Sequence, residues 1–384
     1  MKSLCILGST GSIGKSSLDV VRALDGRLRV RSLAARKSAT EMAEQVREFR
    51  PERVAMVEES AARELASMLG PEGDGVEILA GEEGLVELAR DGAADIIVSA
   101  VVGAAGLRPA LEALASGHTL AIANKEPLVA AGELMVRAAR EGGGMMLPVD
   151  SEHSAIFQAM RSGEPSEVRR LILTASGGPF RETPCEQLEK VTPEQALAHP
   201  TWSMGPKITV DSATMMNKGL EVVEARWLFG VEPDAIEVWV HPQSIVHSIV
   251  EFIDGSMVAQ MGLPDMRLPI QYALTYPERV DGGLGGCEVG QIGELSFGRT
   301  DPERFPAVEL GHEAAAAGGT MGAVLNAANE VAVSCFLAER IGFTDIAGTV
   351  AEAMGAHKLV QSPDLDDILE ADAWARERAG AGTE

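Results

Sequence analysis

The chain has 384 residues, of which 46% are apolar and 23% charged, the composition of an ordinary globular protein with room for two or three domains. Its formal net charge of −24 argues against general nucleic-acid binding and against docking on anionic membranes. Four cysteines lie far apart with no C-x-x-C pair, so the sequence indicates neither a zinc ribbon nor a disulfide framework. Without a leader pattern or an apolar run of about 18 residues, we expect a reducing compartment, most simply the cytoplasm.

The first 150 residues alternate between strand and helix patterns. The apolar strand patterns lie at residues 4–7, 28–35, 54–57, 76–79, 95–102, 119–123 and 145–149. The helical patterns between them include residues 15–24, 60–69, 82–90 and 107–116. This alternation predicts an α/β fold with a Rossmann-like, doubly wound parallel sheet over residues 1–150.

Three glycines, Gly8, Gly11 and Gly14, lie between the first strand and the first helix. Strand, glycine turn and helix in this order are what a dinucleotide-binding turn requires, because glycine lets the backbone approach a pyrophosphate. The spacing is G-x-x-G-x-x-G, so the motif is a variant of the usual fingerprint. A competing interpretation takes Ser9 to Ser16 as a P-loop with serine in place of the first glycine, which predicts an NTPase or kinase.

The end of the second strand indicates which dinucleotide binds. An acidic residue there would bind the ribose 2′-hydroxyl of NADH. The sequence has Arg36, Lys37 and Ser38 instead, two cations and a hydroxyl that suit a 2′-phosphate. We therefore predict NADPH, with an exposed basic turn as the alternative.

Two carboxylates follow the strand at residues 145–149. Asp150 and Glu152 lie two residues apart where this strand ends, and a helical pattern begins at about residue 153. So close a pair needs a proton or a cation to neutralise it, and hard oxygen ligands favour Mg²⁺ or Mn²⁺ over zinc. The alternative is a helix N-cap followed by a solvated glutamate. Lys125 follows the strand at residues 119–123, and we predict that its ammonium faces the substrate, with a surface pair with Glu126 as the alternative.

The central part of the chain offers a glycine turn and a proline-rich loop. Ser176, Gly177 and Gly178 follow a strand pattern and could bind a phosphate with backbone N–H groups, although a structural loop is the simpler interpretation. Residues 192–207 bracket Trp202 with proline and glycine. We predict a mobile lid there, with a structural loop around a buried tryptophan as the alternative.

A polar cluster comes next, on a predicted helix that Asp211 or Ser212 caps and that runs to residue 228. Asn217 and Glu221 are spaced i, i+4 and Lys218 and Glu221 i, i+3, so an amide, an ammonium and a carboxylate share one face. An exposed Lys–Glu pair is the alternative, but apolar neighbours argue against a solvated helix.

Four segments divide the chain in this prediction. Residues 1–150 bind the cofactor, and residues 151–275, with strand patterns at 236–240, 245–252 and 256–260, form an α+β domain. Residues 276–300 are a glycine-rich connector, and residues 301–384 form a helical bundle. Asn326, Asn329 and Glu330 are interpreted as polar groups that pack helices.

These stretches together resemble the 1-deoxy-D-xylulose 5-phosphate reductoisomerase family. The matching motifs, in family order from residue 8 to residue 330, are GSTGSIG, ANKE, LPVDSEH, SGGPFRETP, HPTWSMGPK, VDSATMMNKGLE, HPQSIVHS, LPDMR and LNAANE. The resemblance implies a homodimeric enzyme that rearranges a sugar phosphate and reduces the product with NADPH, using Mg²⁺ or Mn²⁺, with Co²⁺ as an alternative. It also implies that the central domain is catalytic and dimerising.

Carried over by motif, the resemblance assigns each site residue. The implied cofactor residues are Thr10, Gly11, Ser12 and Ile13 at the pyrophosphate, Arg36, Lys37 and Ser38 at the 2′-phosphate, and Asn124, Glu126, Met204 and Gly205. The implied metal ligands are Asp150, Glu152 and Glu221, a choice of Glu221 over Glu224 that spacing alone does not make. The implied substrate residues are Lys125, Ser151, Glu152, Ser176, His199, Trp202, Ser212, Asn217, Lys218 and Glu221. Lys125, Asp150, Glu152 and Glu221 form the implied catalytic set, and Trp202 and Met204 belong to the lid.

Two positions depart from the family pattern. Family members often have Gly-Lys-Asn where this chain has Arg36-Lys37-Ser38, and the arginine would add a cation for the 2′-phosphate. Where family members commonly have Asn-Lys-Glu-Ser, this chain has Asn124-Lys125-Glu126-Pro127. The first turn of a helix accepts this proline.

Overall fold

The structure is a computed structural model that describes residues 1–198 and 205–382, apart from the side chains of Ala104 and Val289. Its internal contacts divide it into two compact units. The first unit comprises residues 1–127, 134–154 and 265–285, and the second comprises residues 128–133, 155–264 and 286–384. His199, Trp202 and Met204, predicted to bind substrate or cofactor, lie outside the described residues.

Seven parallel strands form the sheet of the first unit. They are β1 (Lys2–Leu7), β2 (Leu28–Ala35), β3 (Arg53–Met56), β4 (Glu77–Ala80), β5 (Ile96–Ser99), β6 (Thr119–Ile122) and β7 (Met145–Pro148). Their order is β4-β3-β2-β1-β5-β6-β7, and the winding direction reverses between β1 and β5. The predicted doubly wound parallel sheet is therefore confirmed. The central strands β5 and β6 are almost entirely buried and read as continuous apolar runs, whereas the edge strand β4 has no buried residue.

Seventeen α-helices accompany the strands in the described part of the chain. In order they are α1 (Ser12–Ala23), α2 (Ala39–Phe49), α3 (Glu59–Leu69), α4 (Gly81–Arg90), α5 (Leu107–Ala115), α6 (Glu126–Gly142), α7 (Ser151–Ala159), α8 (Cys185–Leu188), α9 (Pro193–Ala196), α10 (Pro206–Ala213), α11 (Met216–Phe229), α12 (Arg267–Thr275), α13 (Val289–Ile292), α14 (Ala307–Ala317), α15 (Met321–Leu337), α16 (Asp345–Ala356) and α17 (Leu365–Ala381). As expected, Pro127 occupies the first turn of α6, where its missing N–H removes no helical hydrogen bond. None of these helices is both long and apolar enough to cross a membrane.

The second unit contains a five-stranded mixed sheet. Its strands are β8 (Val168–Ala175), β9 (Ile236–Val240), β10 (Val246–Phe252), β11 (Met257–Met261) and β12 (Gly298–Arg299), in the order β11-β10-β8-β9-β12. Only the β8–β9 pair is parallel, and the other neighbours are antiparallel. The predicted α+β character of this part is confirmed. β12 lies inside the predicted connector, and its two residues pair with β9. This end of the connector is therefore part of the sheet.

The predicted helix that starts at Asp211 or Ser212 is wrong in its boundary. α10 ends at Ala213 and α11 begins at Met216, so Asp211 and Ser212 occupy the last turn of one helix rather than the cap of the next. Met215, which lies between the two helices, has a left-handed φ of 62°. That conformation interrupts the helical hydrogen-bond ladder.

Four long helices, α14 to α17, confirm the predicted helical C-terminal part. Their apolar positions recur at three- and four-residue spacing and are buried, for example Phe336 in α15, Ile346 in α16 and Ile368 in α17. α15 packs against both α16 and α17. This periodicity is why the sequence predicts these helices well.

Candidate active site

The glycine turn after β1 is held against the sheet by its own backbone. Gly8 has a φ of +91°, and a Cβ built on it would lie 2.3 Å from the carbonyl oxygen of Ala100. A Cβ on Gly14 would lie 2.3 Å from the carbonyl oxygen of Gly8, so the first turn of α1 presses directly on the loop. Both positions therefore require glycine. The predicted pyrophosphate residues, Thr10 to Ile13, lead from this turn into the N-terminus of α1, which favours an anion.

The same turn argues against the P-loop interpretation. Ser9, at the position of the missing glycine, is fully buried, and its hydroxyl donates a hydrogen bond to Gln45 Oε1 (2.6 Å). Lys15, the lysine of the alternative motif, forms an exposed ion pair with Glu41 (2.8 Å). A P-loop lysine must instead reach the phosphates of the nucleotide.

The basic turn after β2 is open to solvent. Arg36 and Lys37 are exposed, and Ser38 is the N-cap residue of α2. Arg36 Nε lies 3.3 Å from Glu58, but 80% of the arginine side chain remains accessible. An exposed pair of this kind contributes little stability, so Arg36 can exchange its partner for a phosphate at low cost.

The residues after β6 place three polar side chains at the carboxyl edge of the sheet. The Ser99 hydroxyl donates to Asn124 Oδ1 (2.9 Å), which fixes this amide. The Lys125 ammonium donates to Asp150 Oδ2 (2.8 Å), and the lysine side chain is 7% accessible. Glu126 is buried in the first turn of α6, where a negative charge suits the helix dipole.

The residues after β7 bring the predicted acidic pair together. Asp150 and Glu152 each have a carboxylate oxygen within 4.8 Å of the other. The Glu152 N–H points to Asp150 Oδ1 (3.4 Å), and the Ser151 hydroxyl donates to Glu152 Oε2. Two carboxylates this close repel each other, and Lys125 offsets part of that charge. Donors that are all oxygen fit a hard divalent cation.

In the second unit, the serine–glycine turn meets the end of α10. Gly177 and Gly178 have φ values of +82° and +67°, and the Gly178 N–H donates to Ser176 Oγ (3.2 Å). A Cβ on Gly178 would lie 2.7 Å from the Ser212 carbonyl oxygen. The turn that carries Ser176 and the helix end that carries Ser212 are thus in backbone contact.

The polar face predicted on α11 is present. Lys218 donates to Glu221 Oε2 (2.7 Å), and Asn217 donates through its amide to Glu221 Oε1. Glu221 is 0% exposed and Lys218 is also buried, so the alternative of a solvated Lys–Glu pair is wrong. Both carboxylate oxygens are therefore held in a fixed orientation.

Two residues of the second unit support this site without having been predicted to do so. Arg304 donates from Nη2 to the carbonyl oxygens of Phe180 and Arg181, each at 2.8 Å, and so fixes the loop after Gly178. Asn329, interpreted from sequence as a helix-packing group, donates to Asp211 Oδ1 (2.8 Å). Neither stands in a local motif with the residue it contacts, so no sequence spacing could have found them.

Known proteins similar to this chain match it over nearly its full length. Family models match at residues 4–132 (1-deoxy-D-xylulose 5-phosphate reductoisomerase), 146–229 (its C-terminal domain) and 261–378 (DXP reductoisomerase C-terminal domain). The reductoisomerase of Heliobacterium modesticaldum is 55% identical, with 100% of this chain and 99% of that protein covered. The enzyme of Chlorobium phaeovibrioides is 54% identical, with 99% and 98% covered.

The chain belongs to the 1-deoxy-D-xylulose 5-phosphate reductoisomerase family.

Solved reductoisomerase structures have the same fold. The enzyme from Zymomonas mobilis in complex with NADPH superimposes with a TM-score of 0.94 at 44% identity, with 100% of this chain and 99% of that one covered. A reductoisomerase in complex with NADPH, fosmidomycin and magnesium gives a TM-score of 0.94 at 40% identity, with 99% and 98% covered. The predictions of reductoisomerase family and fold are confirmed, and the P-loop interpretation is wrong.

Proposed function

We propose that this chain converts 1-deoxy-D-xylulose 5-phosphate to 2-C-methyl-D-erythritol 4-phosphate, with NADPH as reductant and Mg²⁺ or Mn²⁺ as the metal. The observation that carries the proposal is the similarity to reductoisomerases over the full length of the chain. The polar groups after β6 and β7 and on α11 support it. Relatives of the same fold have been solved with NADPH and with magnesium. The enzyme is thus an oxidoreductase that also rearranges the carbon skeleton of its substrate.

NADPH fits the glycine turn and the basic turn of the first unit. Gly8 and Gly14 let the turn pack closely against the backbone of Ala100 and against the first turn of α1, where a Cβ would collide. The turn thereby presents Thr10, Gly11, Ser12 and Ile13 to a pyrophosphate. Arg36 and Lys37 supply the positive charge that a 2′-phosphate needs, and Ser38 adds a hydroxyl. Asn124, Glu126, Met204 and Gly205 complete the proposed cofactor set. When bound, NADPH supplies the hydride for the reduction.

The proposed metal ligands are Asp150, Glu152 and Glu221. They offer only carboxylate oxygens, and the pair at Asp150 and Glu152 is already close. When bound, the divalent ion supplies a Lewis acid for negative charge that develops on the substrate. Lys125 adds a positive hydrogen-bond donor from its position at Asp150, and Ser151 adds a hydroxyl.

The substrate phosphate is assigned to Ser176, Ser212, Asn217 and Lys218, with His199 nearby. Ser176 and Ser212 lie on backbone segments in contact, and Lys218 supplies the positive charge. These contacts are remote from the reacting carbons, so their binding energy positions the substrate for reaction. Trp202 and Met204 would close over it and exclude water.

The chain is proposed to act as a cytoplasmic homodimer, with the functional division at residues 150, 275 and 300 that the sequence predicts. β11 is an outer strand of the five-stranded sheet, and Met257 and Met261 on it are 49% and 40% exposed. An apolar outer strand supports pairing with a second copy. In the described part of the chain Cys5, Cys185 and Cys287 form no disulfide, which supports a reducing compartment.

A single assay tests the reaction. NADPH absorbance is followed after addition of 1-deoxy-D-xylulose 5-phosphate, with and without Mn²⁺. We expect loss of absorbance only when both substrate and metal are present. Cofactor binding without oxidation would indicate a non-catalytic NADPH-binding protein and would refute the proposal.

Sedimentation of the wild type and of Met261→Lys tests the dimer, which the lysine should weaken.

A further inference from the structure

A buried hydrogen bond joins the helical C-terminal part to the helix that carries Ser212. Asn329 on α15 donates from Nδ2 to Asp211 Oδ1 on α10 (2.8 Å), and both residues are 0% exposed. Lys207, one turn earlier on α10, lies 2.9 Å from Asp211 Oδ2. The Asp211 carboxylate therefore bonds to α15 through Oδ1 and pairs within its own helix, α10, through Oδ2.

This contact lies one residue from a proposed phosphate ligand. α10 has only eight residues, and Asp211 immediately precedes Ser212 near its end. The Ser212 carbonyl oxygen is in backbone contact with the turn that carries Ser176, as the position of Gly178 shows. A rotation or shift of α10 would consequently move both serines relative to Asn217 and Lys218. Misplacement of a binding group by about 1 Å can cost about 100-fold in rate.

The hydrogen-bonding groups of Asn329 indicate that its bond to Asp211 is the reason for an asparagine at this position. Among the described residues its amide oxygen, Oδ1, has no hydrogen-bond partner although it is buried. An unsatisfied buried acceptor costs about 1–3 kcal/mol, and an apolar side chain of similar size would avoid that cost. The amide N–H, by contrast, donates to a carboxylate, which is one of the stronger hydrogen bonds in proteins.

Asn326 shows what a packing asparagine on the same helix looks like. It lies one turn earlier on α15, it is 1% exposed, and its Oδ1 also has no partner among the described residues. Its Nδ2 donates to Glu330 Oε1 (3.1 Å), within the same helix. Glu330 in turn pairs with Arg376 of α17 (2.7 Å). Asn326 thus serves the helical bundle, whereas Asn329 reaches α10.

We propose that Asn329 is a positioning residue for recognition of the substrate phosphate. It acts through Asp211, which holds α10 in the orientation that presents Ser212 and keeps it against the Ser176 turn. The inference rests on the proposed function for the identity of the substrate and of the phosphate ligands.

The test compares Asn329→Ala with Asn326→Ala, two buried asparagines of one helix that each lose one hydrogen bond. Inorganic phosphate binding to the enzyme with NADPH and Mg²⁺ is measured by calorimetry, together with KM for the sugar phosphate, the Kd for NADPH and Tm. We expect Asn329→Ala to raise the phosphate Kd and the substrate KM about tenfold, because a displaced Ser212 would lose its hydrogen bond to the charged phosphate. The NADPH Kd should stay within about twofold of the wild type. Asn326→Ala should lower Tm and leave the phosphate Kd unchanged.

A reciprocal exchange separates positioning from general damage. Asn329→Asp places two buried carboxylates against each other, and the double variant Asp211→Asn/Asn329→Asp restores an amide–carboxylate pair with the roles reversed. We expect the double variant to bind phosphate more tightly than Asn329→Asp alone. Wild-type phosphate binding by Asn329→Ala, an equal effect of Asn326→Ala, or no recovery in the exchange would each overturn the inference. Failure of the proposed function would appear differently, as a wild type that binds phosphate but does not oxidise NADPH.

Discussion

Gly219 of α11 and Gly311 of α14 bring two helices into backbone contact directly behind the polar face of α11. A Cβ built on Gly311 would lie 2.2 Å from the Gly219 carbonyl oxygen and 2.3 Å from the Gly219 Cα. One built on Gly219 would lie 2.4 Å from the Ala307 carbonyl oxygen. Because Gly219 follows Lys218 and precedes Glu221 by two residues, this crossing sets where both charged side chains stand.

Gly311→Ala should therefore destabilise the protein. The added methyl group meets backbone, which cannot move aside as a side chain can, and overpacking of this kind costs about 1–3 kcal/mol. Thermal unfolding measures the effect. Gly348→Ala is the control, because Gly348 is an exposed glycine inside α16 with nothing within 4 Å of a new Cβ. Alanine there should be neutral or slightly stabilising. Equal Tm values for the two variants would contradict the close crossing.

Glu221→Gln should abolish most metal-dependent turnover and leave NADPH binding intact. The substitution keeps the size of the side chain but removes the negative charge that a divalent ion requires. We expect the Kd for Mn²⁺, measured by calorimetry, to rise by at least about 100-fold, above the range for loss of an outer contact to a metal ligand. Glu224→Gln is the matched control, since Glu224 lies one turn away and is also buried. If Glu224→Gln weakens Mn²⁺ binding and Glu221→Gln does not, the ligand assignment is reversed.

Arg36→Ala/Lys37→Ala should reduce the preference for NADPH over NADH. Each charge-assisted contact to the 2′-phosphate contributes about 1.5–3 kcal/mol, so KM for NADPH should rise by at least about tenfold. KM for NADH, which lacks that phosphate, should change little. Arg63→Ala removes an exposed cation of α3 that pairs with Glu59, and it should affect neither cofactor. A parallel rise in KM for both cofactors would argue against a role in 2′-phosphate recognition.

Cys5 should resist thiol reagents in the folded protein, whereas Cys185 should react quickly. Burial inside β1, and secondly the negative charge of Asp91, raise the pKa of the Cys5 thiol from 9.0 to about 12. The thiolate is the reactive form, so Cys5 should be labelled at pH 8 only after unfolding. Mass spectrometry after alkylation measures this, with Cys185→Ser to identify the fast site. Labelling of Cys5 in the native protein would contradict its burial.

The same shift predicts a pH dependence of stability. A thiol with a raised pKa in the folded state favours folding while it is protonated, so its contribution is complete below pH 9.0. It declines as the pH rises from 9.0 towards 12, because the unfolded chain then gains from ionisation. The free energy of unfolding of Cys5→Ala, measured by urea denaturation, should fall less steeply over this interval than that of the wild type.

Local patterns were enough to predict much of the architecture. β2 is predicted at residues 28–35 and observed at Leu28–Ala35, because its apolar residues alternate with arginines at first and then continue as Leu33, Ala34 and Ala35. The common face of Asn217, Lys218 and Glu221 follows from the 3.6-residue period of a helix, because spacings of three and four residues can be counted in the sequence. The glycine turn and the acidic pair after β7 were likewise visible, since both depend on residues close in the chain.

By itself the sequence determined the family, the order of strands and helices and the kinds of side chain offered to cofactor, metal and phosphate. Only the tertiary structure decided that Met215 breaks one predicted helix into two, that Gly311 must be bare to admit Gly219, and that Asn329 holds Asp211 across 118 positions of the chain. Periodicity and turn chemistry are properties of neighbouring residues and can be seen in a single sequence. A contact between distant segments exists only once the chain has packed, and no local pattern encodes which buried atoms will meet.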